Sequence, residues 1–261
     1  MRALYKRFNL SPKEKKIRMA QTPTSPYSLE ARMETMENSI SALRCEVERL
    51  QAIVAIQNLM GTYEVIHNQS DVQKSWKLFA QHTPDTWAEV SNWGRVEAIE
   101  QIRKFWEAQD FSKAGMPVGA MFSHHLTTPI IQVAGDCKTT KATWFSPGHE
   151  TKPRDGKLTA LWCWGKYAID FVKEDGAWKI WHFKWFRTFI TPYDVSWVDR
   201  PMEPEMARFS PDGDFGYKPT SYHRPYFPDQ VQESIPPAPR PYDAWTEAET
   251  EWPFKPTTMS E

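Results

Sequence analysis

Residues 158–190 read LTALWCWGKYAIDFVKEDGAWKIWHFKWFRTFI, and this stretch decides the fold class. Two runs rich in β-branched and aromatic residues, 158–172 and 177–190, flank Glu174-Asp175-Gly176. Asp-Gly between such runs signals a tight hairpin, because a two-residue turn with the twist of the strands needs positive φ, which Asp and Gly tolerate best. Side chains alternate along a strand, so Trp181, Phe183, Trp185 and Arg187 should share one face and Ile180, His182 and Lys184 the other. Alternation alone does not say which face is concave. Trp144, Trp162 and Trp164 add to the aromatic crowding of the same sheet.

Working outward, residues 129–133 and 141–145 read as two further strands, and 87–93 as another that stops at Gly94. Residues 95–109 read as a helix, with Val96, Ile99, Ile102 and Trp106 on one face and a Glu100–Lys104 pair outside. Ser70-Asp71-Val72-Gln73 reads as a capping box that opens a short helix carrying Trp76, Leu78 and Phe79. Upstream, Ser25-Pro26 offers a helix start. Met33, Met36, Ile40, Leu43, Val47, Leu50 and Val54 then recur at spacings of three and four, and the helix continues to His67. That seam suits a short dimeric coiled coil or a single amphipathic helix lying on its own domain. Helices first and long antiparallel strands after them predict an α+β fold, a curved, mostly antiparallel sheet packed on helices.

The predicted organisation is a disordered basic extension (1–24), a helical extension (25–50), an α+β domain (50–194) and an extended arm (195–261). More than half of the 21 prolines fall in the arm, interleaved with Tyr and Trp, which favours a segment wrapping its own domain or a partner subunit over a plain linker. The 261 residues carry a formal net charge of −1, which gives no electrostatic footprint for nucleic acid. No apolar run is long enough for a membrane helix, and the basic N-terminus lacks the apolar core of a secretory signal. Met19 is an alternative start. Three cysteines without a Cys-x-x-Cys pair suit a reducing compartment, taken as the cytoplasm, and neither a disulfide framework nor a zinc site. No Gly-rich phosphate loop, nucleophile elbow or helical His pair is present, so no cofactor and no metal are expected. Thirteen Trp and 14 Phe point to a pocket for a small aromatic or hydrophobic molecule.

Five segments in order give the chain a family resemblance: Ala55-Ile56-Gln57 with Leu59 and Tyr63; Trp76 with Leu78-Phe79-Ala80; Trp93-Gly94 with Ala98-Ile99; His124-His125-Leu126-Thr127-Thr128-Pro129; and Asp175-Gly176-Ala177-Trp178-Lys179-Ile180. Over residues 50–194 the chain resembles the SnoaL-like branch of the nuclear transport factor 2-like superfamily. The resemblance implies a cone-shaped barrel with a pocket between sheet and helices, commonly dimeric, so a homo-oligomer (dimer or trimer) is expected. It also implies cofactor-free chemistry of the scytalone dehydratase or dehydrochlorinase kind, or a non-catalytic binding module. The long helix and the Pro-aromatic arm also resemble, less specifically, formaldehyde lyases acting on lignin-derived diarylpropane diols.

In dehydratase-like members a His is the base and an Asp near the end of the first helix orients it, by the logic of a His–Asp pair. His124 falls at the His position, with His125 beside it. The Asp position is occupied by Asn68, which can accept a hydrogen bond but cannot stabilise imidazolium by charge. His67 adjoins it on another helix face. The resemblance further implies site roles for Tyr63, His149 and Tyr167, and the aromatic crowding of the sheet offers Trp144, Trp164 and Trp185 as pocket wall. Asp170 and Arg187 are the charged residues expected inside, either in the site or paired with each other. Two functions follow as expectations: a cofactor-independent lyase on a small aromatic compound, with His124, Tyr63, His149 and Asn68 doing the chemistry, or a hydrophobic-ligand or protein-binding module in an oligomer. The missing Asp favours the module, and histidines in an aromatic setting favour the lyase.

Overall fold

A computed structural model of the chain describes residues 28–68, 71–91, 93–108, 116–154, 156–202, 218, 221–233 and 235–246. The chain divides into two compact units, Met1–Val47 and Glu48–Glu261. Helix α1, Leu29–His67, runs through both. Its start is capped by Ser28, whose Oγ accepts a hydrogen bond from the Ala31 N–H at 3.1 Å; Ser25-Pro26 and the basic extension lie outside the described residues. In the first unit Met33, Met36, Ile40, Leu43 and Val47 are all exposed. In the second unit the helix buries a different stripe, Ala52, Ile56, Met60 and Tyr63, while Leu50 and Val54 of the predicted seam stay exposed.

The second unit is α+β. Its strands are β1 (Trp87–Val90), β2 (Arg95–Glu97), β3 (Met121–His124), β4 (Thr127–Val133), β5 (Thr139–Ser146), β6 (Gly148–Arg154), β7 (Lys157–Glu174) and β8 (Ala177–Pro192). They form one mixed sheet in the order β2-β1-β8-β7-β5-β4, with β6 pairing β7 and β3 pairing β6. Long β7 holds both β5 and β6 along one edge, one on each half of its length. Only β1 and β8 among the paired strands run parallel. The predicted hairpin is present: Asp175 (φ 50°) and Gly176 (φ 79°) turn β7 into β8. Glu174, at the turn, accepts from the backbone N–H groups of Gln81, His82 and Thr83 and from the Thr83 hydroxyl, anchoring the chain that leads into β1.

Three expectations about local structure change. Residues 95–97 pair back on β1 as β2, and helix α2 starts only at Ile99 (Ile99–Glu107); Ala98, at φ 66°, breaks the chain between them. The segment after Asp71 is a 3-10 helix, Val72–Leu78, and the Asp71 side chain makes no capping bond; its buried residues Val72 and Ser75 are three apart, the repeat of that helix. Residues 148–154, where no strand was expected, form β6.

Simple alternation along β8 also fails, because the register against β7 shifts between Asp170 and Phe171 and again between Trp164 and Gly165. Each bulge moves the chain by one residue and so exchanges the faces. Ile180, Phe183, Trp185 and Ile190 therefore all join the core. Trp181 leaves the Phe183 face: its ring stacks on His182 at 4.0 Å and packs against Trp245 of the arm.

Met202 of the arm bridges Ile190 and packs against this core, and Lys218 pairs with Arg95 of β2; the later arm residues lie on the opposite face of the sheet. Tyr226 N–H donates to the Thr188 carbonyl, and Gly135 and Asp136 N–H groups donate to Tyr242 and Asp243. Beneath the arm sits a fully buried ion pair, Lys184–Glu89 at 2.7 Å, with Ser221 hydrogen-bonded to both. Among the described residues no helix is long and apolar enough to cross a membrane.

Candidate active site

The concave face of the sheet and the end of α1 enclose a small cavity of about 90 Å3, open at one side. Tyr63 and His67 enter from α1, Phe105 and Trp106 from α2, Phe122 and His124 from β3, Glu150 and Lys152 from β6, Tyr167 from β7, and Phe183, Trp185 and Arg187 from β8. The alternation of β3 and β6 explains who enters. His124 and Glu150 point in, whereas their neighbours His125 and His149 lie on the other face. There the His125 ring bonds Ser123 at 3.2 Å and His149 packs on Trp162 at 4.8 Å.

His124 is buried (5 % exposed) and holds Glu150 through Nε2 and Oε1 at 3.2 Å; Glu150 in turn pairs with Lys152 at 2.5 Å. Burial by itself pushes the Glu150 carboxyl up, but the Lys152 ammonium and the His124 contact overcome it, and the net shift is downward, so Glu150 is ionised. A carboxylate on Nε2 keeps the ring proton there and leaves Nδ1 as the basic nitrogen, and Nδ1 has no hydrogen-bond partner. Gly148 makes room for that ring: a Cβ at this position would lie 2.6 Å from Nδ1 and 2.7 Å from the Cys163 carbonyl oxygen.

Asn68 does something other than orient the imidazole. Its Oδ1 accepts from the His124 backbone N–H and its Nδ2 donates to the His124 carbonyl, both at 2.9 Å. The side chain ties the last turn of α1 to the backbone of β3. The carboxylate on the imidazole is Glu150, two residues past Gly148 on β6. Sequence reasoning did not single it out, and the one available signal was the alternation Gly148, Glu150, Lys152.

His67 stacks on Tyr63 (ring centroids 5.5 Å, planes 9° apart) and meets His124 edge-on at 5.5 Å. Burial, then repulsion by His124, lowers its pKa to about 3, so it is neutral at ordinary pH. Burial raises the hydroxyl pKa of both Tyr63 and Tyr167 well above the phenol range, with Glu64 adding to each. They are proton donors, not bases. Glu64, also unforeseen, is buried beneath the pocket wall; burial drives its carboxyl up, against the pull of His124 and Tyr167.

Two of the expected wall residues are elsewhere. Trp144 is buried in the core edge-on to Phe171. Trp164 is 42 % exposed on the outer face, stacked on Phe189. Trp164 points away from the lining, whereas Trp144 shares the sheet face of Tyr167 and Trp185 but packs in the core beyond the cavity; Trp185 and Arg187 are within the lining. Asp170 and Arg187 are not a pair: Asp170 bonds His182 Nδ1 at 2.8 Å on the arm side. His124, Glu150 and Cys163 bring potential metal-binding atoms within 4.8 Å of one another. The set fits a cation poorly, since burial and Glu150 hold the Cys163 thiol protonated and the Lys152 ammonium already occupies Glu150.

Residues 48–184 match the family model described as SnoaL-like domain. No curated protein matches the chain. Solved structures do. A protein from Novosphingobium aromaticivorans, provisionally assigned as a scytalone dehydratase, is 20 % identical over 58 % of this chain and 93 % of its own, with a TM-score of 0.44. A type 2 hexachlorocyclohexane dehydrochlorinase is 14 % identical over 64 % and 99 %, TM-score 0.45. A type 3 form from Novosphingobium barchaimii is 15 % identical over 58 % and 96 %, TM-score 0.44.

Proposed function

The chain belongs to the SnoaL-like domain family, and on that footing we propose that it is a cofactor-independent lyase that acts on a small aromatic compound by acid–base elimination. A shared fold does not fix a reaction, so the proposal rests on one observation: a buried His124–Glu150 pair, backed by Lys152, at the wall of an aromatic cavity. An imidazole held by an ionised carboxylate is a general base whose conjugate acid is stabilised by the adjacent charge.

In a dehydration, His124 takes the proton from a carbon, the C–H pair forms the double bond, and the C–O bond breaks as a donor protonates the departing hydroxyl to water. In a diarylpropane diol, His124 takes the proton of the primary hydroxyl. That oxygen closes to formaldehyde, the C–C bond pair becomes the new C=C bond, and the secondary hydroxyl leaves as water. The proton for that water comes from a pocket hydroxyl, Tyr63 or Tyr167, or from the imidazolium. His67, being neutral, orients ligand oxygens. The predicted roles of His125 and His149 need a substrate that reaches the outer face and are not part of this reading.

The test is turnover. Lignin-type diols and phenolic alcohols are incubated with the protein, and released formaldehyde and loss of water are scored. His124→Ala should lose activity by about 100-fold or more; full turnover by this variant removes His124 from the mechanism. Binding of aromatic compounds with no turnover of any of them favours the binding module, a reading that the burial of His124 Nδ1 supports. We also assign the exposed seam from Met33 to Val54 to self-association of the chain.

A further inference from the structure

Arg187 is 2 % exposed, yet its Nε and Nη1 have no hydrogen-bond partner, and among the described residues it has no ion pair. Its guanidinium lies between Trp93 and Trp185, 5.2 and 5.0 Å from the ring centroids. Stacking of this kind offsets part of the desolvation of a buried cation but satisfies none of its N–H donors. Two more buried donors on the same wall are unmatched, the indole Nε1 atoms of Trp106 and Trp185. The other charges facing the cavity are already engaged with each other, Lys152 with Glu150 and Glu150 with His124. The cavity therefore holds one unneutralised positive charge and a surplus of N–H donors inside an aromatic wall. Unsatisfied buried donors are costly unless a ligand supplies the acceptors.

We propose that the ligand is an aromatic carboxylate: Arg187 takes its anionic oxygens while the rings of Trp106, Phe183 and Trp185 take its aryl group. The proposal rests on this cavity being the substrate site, and it narrows the substrate from a neutral phenolic or diol to an aryl acid or a diol bearing a carboxylate. A carboxylate suits one guanidinium and a few N–H donors, whereas a dianionic phosphate calls for more cations than Arg187 alone supplies.

The test uses the full chain and two probes of one skeleton, trans-cinnamate and its neutral amide, with binding followed by tryptophan fluorescence and calorimetry. The wild type should bind cinnamate about tenfold or more tightly than cinnamamide, as expected when one charge-assisted hydrogen-bonded contact is gained. Arg187→Gln should abolish that preference, so that the folded variant binds the two probes with equal affinity. Should Arg187→Gln not fold, Arg187→Lys, which keeps the charge but loses the planar fork, should reduce the preference without inverting it. Equal affinity of the wild type for the two probes, or a preference that survives in a folded Arg187→Gln, overturns the proposal. His124→Ala separates it from the lyase reading. Arg187-dependent cinnamate binding in a protein that turns over nothing sinks the lyase and keeps the anion site. Equal turnover of a neutral diol and its carboxylated analogue sinks the anion site and keeps the lyase.

Discussion

At the scale of single residues, the informative position is Asn68. An Asp there would carry a charge, and the structure shows why Asn serves this chain: its amide both accepts from and donates to the backbone of His124. A carboxylate can accept from the N–H but presents an oxygen to the carbonyl, which is repulsive. Asn68→Asp should therefore lower the melting temperature at neutral pH, and part of the loss should return at acid pH, where the protonated carboxyl donates again. Asn68→Ala should cost about 1–3 kcal/mol at any pH, because two backbone groups lose their partners. Thermal melts of the three proteins at two pH values check this; an Asp variant as stable as the native protein at neutral pH refutes the clamp. The reading of Asn68 as an imidazole partner went astray because the helix position predicts that a side chain is near β3, but not whether it meets a ring or a backbone.

At the scale of elements, β8 does two jobs on its two faces. Phe183, Trp185 and Arg187 face the cavity, and His182 and Lys184 face the arm. Lys184 is 0 % exposed and paired with Glu89 of β1, also 0 % exposed. Removing one partner of a buried pair leaves a charge without water or counter-ion, so Glu89→Ala should destabilise the protein by about 3–5 kcal/mol. Chemical denaturation measures it, and a loss under about 1 kcal/mol would mean that Lys184 is neutral or hydrated in the native state. Helix α1 likewise has two stripes. The inner one ends in Tyr63 and His67 at the site, and the outer seam from Met33 to Val54 is exposed. If the seam is a coiled-coil contact, Ile40→Glu with Leu43→Glu should lower the molar mass seen in analytical ultracentrifugation, with the cavity's ligand affinity unchanged. An unaltered mass assigns self-association, if any, to another surface.

At the scale of the whole molecule, stability should fall in acid, and the sign follows from which state holds protons. Burial lowers the pKa of both His67 and His223 from 6.5 to about 3, with neighbouring positive charge adding to each. Between those values the unfolded chain binds the proton and the folded one does not. Their contribution is thus complete above about pH 6.5 and is lost as pH falls through this window, by about 2 kcal/mol for each histidine from pH 6.5 to 5. Glu174 acts in the same direction lower down: although burial opposes it, backbone hydrogen bonds hold its pKa to about 2, so its contribution goes as pH falls below 4.5. Glu64, with a raised pKa, acts in the opposite sense. Denaturant titrations at pH 7, 6 and 5 test the sum; a midpoint that does not fall over this range contradicts the buried neutral state of the two histidines.

Local chemistry carried much of this protein in plain view. The Asp175-Gly176 turn, the period-two runs on either side and the three-and-four spacing before residue 67 depend on neighbours within a few residues, so the α+β order and the long hairpin are legible without coordinates. The family resemblance places His124, Tyr63 and Tyr167 in one region, whereas Arg187 is expected only to lie inside the sheet. What only the tertiary structure decided are the meetings between distant strands. Two bulges along β7–β8 reset which side chains face inward, so Trp181 goes to the arm while Trp185 and Arg187 stay with the cavity. The pairing of β3 with β6 puts Glu150 on His124 and turns His125 and His149 away. A register is set by hydrogen bonds between segments far apart in the chain, and one residue of slip exchanges every face; no local pattern encodes that, which is why the partner of His124 was found on β6 and not on the helix.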